Sequence, residues 1–193
     1  TGLSAVTGTC AAGSYSPAQA SACSSCAAGS YSAAQASACS SCAAGTFAVD
    51  TGSADACPDC TAGSYCATTG LTAVTGTCTP GKYTVGGAST CSDCDSGKFS
   101  TLQARINSCL DECTAGQYSN AGATTCTVCA AGRYQILTGA PSCVKCAGGS
   151  FSADTGRTTA CDEFSVAGSY AAAGSTESSI CEAGSFSAEA AAP

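Results

Sequence analysis

Residues 10–47 read CAAGSYSPAQASACSSCAAGSYSAAQASACSSCAAGTF, nearly the same segment three times. Each copy sets a glycine three residues after a cysteine and an aromatic two residues after the glycine. A spacer of small residues then leads to a Cys-x-x-Cys that opens the next copy. Followed along all 193 residues, Cys-x-x-Gly-x-(Tyr/Phe) recurs eleven times. Its glycines are Gly13, Gly29, Gly45, Gly63, Gly81, Gly97, Gly116, Gly132, Gly149, Gly168 and Gly184. Its aromatics are Tyr15, Tyr31, Phe47, Tyr65, Tyr83, Phe99, Tyr118, Tyr134, Phe151, Tyr170 and Phe186. Counting Cys-x-x-Cys from Cys161 puts Phe164 where the tenth copy's cysteine is expected. With almost every aromatic at one repeat position, the repeat itself is the folding unit. Its glycine predicts a turn with φ > 0 or a close backbone approach to a neighbouring disulfide. Its aromatic is expected to pack on the sulfur bridge as a miniature core.

An ordinary core is out of reach. Leu, Ile, Val and Phe together make about a tenth of the chain, and the 45% hydrophobic content is mostly Ala and Cys. Burial of Ala cannot offset an ordering cost of roughly 1–2 kcal/mol per residue. The 19 cysteines can, as a disulfide scaffold, and such a scaffold places the protein outside the cell, on its surface or in a secretory lumen. The expected fold class is therefore a small disulfide-rich repeat, an elongated solenoid-like rod of short loop or β-hairpin modules with little regular secondary structure. Tandem modules are expected over 1–60 and 83–161, a module with a Thr-rich insertion over 61–82, and degenerate modules lacking one bridge over 162–193.

A serial rule bonds the second cysteine of each Cys-x-x-Cys to the first of the next. It pairs Cys10 with Cys23, Cys26 with Cys39, Cys42 with Cys57, Cys78 with Cys91, Cys94 with Cys109, Cys113 with Cys126, Cys129 with Cys143, and Cys146 with Cys161. The degenerate stretch supports it: Phe164 and Ser178 fall in slots that the rule makes partners, so one bridge is missing as a unit. Cys60 then falls to Cys66. A rival pairs Cys66 with Cys78, because residues 70–78 (GLTAVTGTC) copy residues 2–10 (GLSAVTGTC). Cys181 is left over.

The signature Cys-x-x-Gly-x-Tyr, a spacer, then Cys-x-x-Cys resembles the ephrin-receptor-like cysteine-rich repeat. It is also similar to the first loop module of tumour-necrosis-factor-receptor cysteine-rich domains, a loop closed by the same serial pairing. Repeats of this sort occur in protist and algal surface proteins, including surface antigens and flagellar-hair proteins. The resemblance runs from Cys10 to Phe186. The chain departs from the receptor pattern in its Ala/Ser monotony and in lacking interleaved crossed disulfides.

Other chemistries fit less well. Zinc would take four sulfurs per site, and a lost site would remove a whole knuckle rather than half of two. No βαβ pattern surrounds a Cys-x-x-Cys, which argues against redox catalysis. The acidic pairs at Asp93, Asp111 and Asp162 lack Ca²⁺-loop spacing and read as solvated loops. Without His no nucleophile relay forms, so no catalytic, cofactor or metal residue is expected and the chain reads as a non-enzyme. A net charge of −7 with six scattered Lys and Arg offers nucleic acid no basic patch. No signal peptide and no run long enough to span a membrane is present, and the chain reads as a processed or partial one. No Asn-x-Ser/Thr sequon occurs, whereas the Ser/Thr spacers and the cluster Thr68 to Thr79 could carry O-linked sugars. The expected role is a structural subunit of an extracellular fibre, cell coat or surface appendage that meets its own copies head to tail or laterally. A receptor stalk or ligand-binding ectodomain is the alternative.

Overall fold

A computed structural model describes residues 8–188. The first part of the 2–10 copy and the end at Pro193 lie outside them. All eleven repeat glycines have φ between 73° and 92°. Each is the third residue of a four-residue turn: Ser14 N–H donates to the Ala11 carbonyl at 3.1 Å, and the same bond recurs down to Ser185 and Glu182 at 3.0 Å. A left-handed residue only at the third position makes this a type II turn, which glycine enters without steric cost. Pro80, second in its turn, is pre-set for that place. We number the modules 1–11 by these glycines.

Nine of the eleven turns feed a two-residue strand that pairs with the two residues before the next module's second-cysteine slot. In modules 1 and 2, β1 (Ser14–Tyr15) meets β2 (Ser24–Ser25) and β3 (Ser30–Tyr31) meets β4 (Ser40–Ser41). Modules 4 and 5 give β5 (Ser64–Tyr65) with β6 (Gly76–Thr77) and β7 (Lys82–Tyr83) with β8 (Ser92–Asp93). Modules 6 to 8 give β9 (Lys98–Phe99) with β10 (Asp111–Glu112), β11 (Gln117–Tyr118) with β12 (Thr127–Val128), and β13 (Arg133–Tyr134) with β14 (Val144–Lys145). Modules 9 and 10 give β15 (Ser150–Phe151) with β16 (Glu163–Phe164) and β17 (Ser169–Tyr170) with β18 (Ser179–Ile180). Module 3 keeps a single antiparallel bridge, Thr46 with Asp59. No helix forms among the described residues. The protein is a small disulfide-rich repeat of short hairpins.

The backbone ties modules together by a fixed grammar. The turn glycine's N–H donates to the carbonyl three residues past the next turn glycine, as from Gly13 to Ser32 and from Gly116 to Gln135. Every loop also holds a second left-handed residue, whose N–H donates to the preceding module's second-cysteine carbonyl. Gln35 to Cys10, Gly52 to Cys26, Gly122 to Cys94 and Gly174 to Cys146 are examples, at 2.8–2.9 Å. Contacts also reach one module further than a nearest-neighbour stack requires. A Cβ on Gly13 would collide with the Gly52 carbonyl, and one on Gly116 with the Gly156 carbonyl, each two modules ahead. The glycine thus meets both expectations of left-handed φ and close approach, but what it approaches is backbone rather than a disulfide.

The core differs from the expected one. None of the eleven aromatics is buried: nine are half-buried, Tyr170 is 53% exposed and Phe186 85%. Buried instead are the bridged second cysteines and the residue that follows the aromatic in modules 2 to 10, among them Ser32, Ala48, Cys66, Thr84, Ser100 and Ser119. The hydroxyls in that slot bond back to the preceding module, Ser32 Oγ to the Ser14 carbonyl at 3.1 Å and Ser119 Oγ to the Lys98 carbonyl at 2.9 Å. A repeat this thin has room for sulfur and small side chains between backbones, and a ring lies on its flank.

The chain divides into two compact units, Thr1–Ser92 with Leu102–Ser108, and Asp93–Thr101 with Cys109–Pro193. The segment 102–108 belongs to the first through the bonds Ala104 N–H to Cys78 and Thr84 N–H to Arg105.

Candidate functional site: a disulfide ladder

The nine bridges join Cys10–Cys23, Cys26–Cys39, Cys42–Cys57, Cys60–Cys66, Cys78–Cys91, Cys94–Cys109, Cys113–Cys126, Cys129–Cys143 and Cys146–Cys161. The two sulfurs of every Cys-x-x-Cys therefore go to opposite neighbours, which denies a metal its four-sulfur set. The bridged second cysteines are the inner rail, at most 5% exposed, while the outer rail ranges from Cys109 at 1% to the exposed Cys23. The turn holds the inner rail in place: second-cysteine N–H groups donate to the preceding turn glycine, as Cys26 to Gly13 and Cys129 to Gly116, both at 2.9 Å. Loops of 13 to 15 residues closed in this way contribute on the order of 3 kcal/mol each.

Module 4 shows how the ladder accommodates a defect. Cys66 occupies the buried slot after the aromatic, and Thr75 stands three residues before Cys78 where a first cysteine would be. Cys60 therefore bonds across its own turn to Cys66. Thr75 joins the strands by hydrogen bonds instead, its N–H donating to Tyr65 and its Oγ1 accepting from Ala67 N–H, both at 2.9 Å. Cys78 bonds Cys91, which leaves the rival pairing of Cys66 with Cys78 without support.

Module 10 corrects the reading of Phe164. Ser165 sits three residues before Gly168, is 5% exposed, and donates its N–H to Gly149 at 2.9 Å, the bond that second cysteines make. Phe164 lies one residue earlier, opposite Ser150 in the hairpin. An extra residue after Cys161 displaced the Cys-x-x-Cys count, as Cys109-x-x-x-Cys113 already does elsewhere. The missing bridge is thus Ser165 with Ser178, two serines in cysteine slots. Cys181 is free and half-buried.

Side chains that the repeat pattern did not single out hold the longer loops. Arg105, 9% exposed, donates Nε and Nη2 to the Ser108 carbonyl at 3.4 and 3.3 Å. Arg157 does the same to Ala160 at 3.1 and 3.0 Å, and forms ion pairs with Asp154 and Asp162. Both follow a loop's left-handed residue within a bridge that spans 15 residues. Gln135 closes the 14-residue loop by donating Nε2 to Ser142 at 2.8 Å. Loop length was the available signal: two extra residues need something to fill them.

In the first unit, an open groove of about 610 Å³ runs past Cys10, Pro17 and Gln19, and a cleft of about 340 Å³ is lined by Tyr65, Thr77, Thr79, Lys82, Thr90 and Cys91. Among the described residues no three His, Cys, Asp or Glu are grouped to hold a metal, and no helix is long and apolar enough to cross a membrane. Half-buried residues of the first strand face exposed ones of the second, Ser14 opposite Ser25 and Ser30 opposite Ser41 early in the chain. Later pairs are Lys98 with Glu112, Gln117 with Val128, and Arg133 with Lys145.

Residues 116–162 match a family model described as tyrosine-protein kinase ephrin type A/B receptor-like. The match covers the hairpins of modules 7 and 8 and the first strand of module 9, and ends just past Cys161. No curated protein matches the chain. The turn glycines, the serial bridges and the hairpins of the matched stretch repeat on both sides of it, so the likeness to an ephrin-receptor-like cysteine-rich repeat extends beyond the match.

Proposed function

We propose that this protein is a non-enzymatic structural element of an extracellular fibre, coat or surface appendage. One observation carries the reading: each module is the docking surface of the next. The loop N–H to second-cysteine carbonyl bond recurs nine times, from Gln35–Cys10 to Gly174–Cys146, and leaves little of the repeat free for a specialised cleft. Disulfides and a receptor-ectodomain type of module support a place outside the cell or on its surface. Spacers of Ser, Ala and Thr suit lateral or head-to-tail packing of copies, and exposed threonines such as Thr68, Thr69 and Thr72 are acceptors for O-linked sugars.

A receptor role has its own support in the matched stretch, where Ile136, Leu137 and Val144 are 48–64% exposed beside Arg133 and Lys145. Of these, Arg133 is the side-chain type that anchors protein ligands, with the apolar neighbours shielding it from water. Electron microscopy of native material, with sedimentation of the chain at several concentrations, separates the readings. Fibres with an axial repeat commensurate with the modules support the first. A monomer at all concentrations that binds a soluble protein through module 8 supports the second.

A further inference from the structure

Two stretches of backbone, residues 67–77 and 162–180, are bypassed by no disulfide. Everywhere else between Cys10 and Cys161 a pull along the chain passes through sulfur. It crosses from Cys10 to Cys23, follows residues 24–25, crosses from Cys26 to Cys39, and so on, with two or three residues exposed to tension between bridges. Module 4 breaks the pattern because Cys60 bonds back to Cys66, and module 10 because serines fill both its slots. With Cys66 bonded to Cys60, Cys78 to Cys91 and Cys161 to Cys146, no bridge spans either stretch.

Both are nevertheless folded, and by bonds that re-form. Residues 67–77 are held by the β5–β6 ladder, by Thr75 to Tyr65 and Ala67, and by Gly70 N–H to Cys42 at 2.8 Å. Residues 162–180 are held by the β17–β18 ladder, by Ser165 and Ala171 to Gly149, and by Gly174 N–H to Cys146 at 2.9 Å. We propose that these stretches are two extensible links in a ladder that is otherwise covalently inextensible, opening and re-closing reversibly while the bridged modules stay folded. This holds for a fibre subunit and for a receptor stalk alike.

Single-molecule stretching of the full oxidised chain tests it, with one handle at the chain start and one on the free Cys181 thiol. Two reversible steps are expected, with ceilings set by fully extended chain at about 40 Å for Cys66 to Cys78 and about 70 Å for Cys161 to Cys181. In S165C/S178C, once peptide mapping shows the new bridge, the long step should fall below about 25 Å and the short one should be unchanged. A long step that survives the new bridge overturns the proposal, as does a chain that keeps its folded length until the handles break. If the variant does not form its bridge, hydrogen exchange on the unaltered chain decides. Amides of 67–77 and 162–180 should exchange as two groups ahead of those of 114–125, and uniform protection overturns the proposal.

Discussion

Modules 7 and 10 have the same backbone, yet only one has a bridge. In module 7, Cys113 bonds Cys126, Gly116 has φ 81°, Gln117 N–H donates to Thr114 at 3.1 Å and Cys129 N–H to Gly116 at 2.9 Å. In module 10, Ser165 and Ser178 fill the slots, Gly168 has φ 80°, Ser169 N–H donates to Val166 at 3.0 Å and Cys181 N–H to Gly168 at 3.0 Å. The turn glycine and the bonds between modules therefore set the local path, and the disulfide acts chiefly by limiting what the chain can reach when it opens. That division of labour suits a chain with almost no apolar core. Backbone bonds of about 1 kcal/mol each choose one conformation among many, and bridges shrink the number to choose from.

The comparison is broken most directly by making module 7 into a module 10. C113S/C126S should cost about 3 kcal/mol locally, read as a roughly hundredfold loss of exchange protection at the Cys129 amide. An unchanged amide would mean that the bridge adds nothing to the fold.

The turn glycines differ in a way that their dihedrals hide. Gly116→Ala and Gly168→Ala share a left-handed cost of about 1–2 kcal/mol. At Gly116 the new methyl also strikes the Gly156 carbonyl and stands 3.3 Å from Thr158 Cγ2, whereas at Gly168 none of the described residues lies within 4 Å. Overpacking should add about 1–3 kcal/mol at Gly116 alone. Denaturation midpoints and the yield of correctly bridged chain on oxidative refolding should rank Gly116→Ala well below Gly168→Ala, and equal effects would show that the approach between modules two apart is loose.

Much of this was legible because the repeat reports itself. The spacing of Gly and Cys fixes turn, hairpin and serial ladder together, and a paired loss in module 10 identifies which slots face each other. Phe164 was misplaced because Cys-x-x-Cys was counted forward from Cys161, while Cys-x-x-Gly counted back from Gly168 reaches Ser165. The aromatics misled through their size. In a layer that small side chains fill, the residue after the ring is the buried one from module 2 to module 10, and its run of Ser32, Ala48, Cys66, Thr84 and Ser100 was available as a signal. The second left-handed residue was hidden, because Gln19, Gln35 and Ala104 hold it as well as glycines do.

That slot gives a smaller test, of opposite sign. Ala104 has φ 53° while its N–H donates to Cys78 at 2.8 Å, and in module 7 the equivalent residue is Gly122 at φ 72°. Ala104→Gly relieves the left-handed cost and adds chain entropy on unfolding, so it should stabilise by about 0.5–1 kcal/mol. A higher denaturation midpoint is the expected reading. A lower one would show that the Ala104 methyl contributes packing worth more than its backbone strain.

An effect of the same small size, but a loss, is expected where the bridge is already gone. Ser165 Oγ donates to the Gly149 carbonyl at 3.2 Å, and Ser165 N–H donates to the same oxygen at 2.9 Å. In Ser165→Ala that carbonyl keeps its backbone donor, so no buried acceptor is orphaned, and the loss should be about 0.5–1 kcal/mol. Read at the Cys181 amide, this is a two- to fivefold rise in exchange, far below the effect of removing Cys113 and Cys126. A loss as large as that of a cysteine pair would mean that the serine hydroxyl had taken over the work of the sulfur. Module 10 would then be held by a different bond, and no longer serve as module 7 without its bridge.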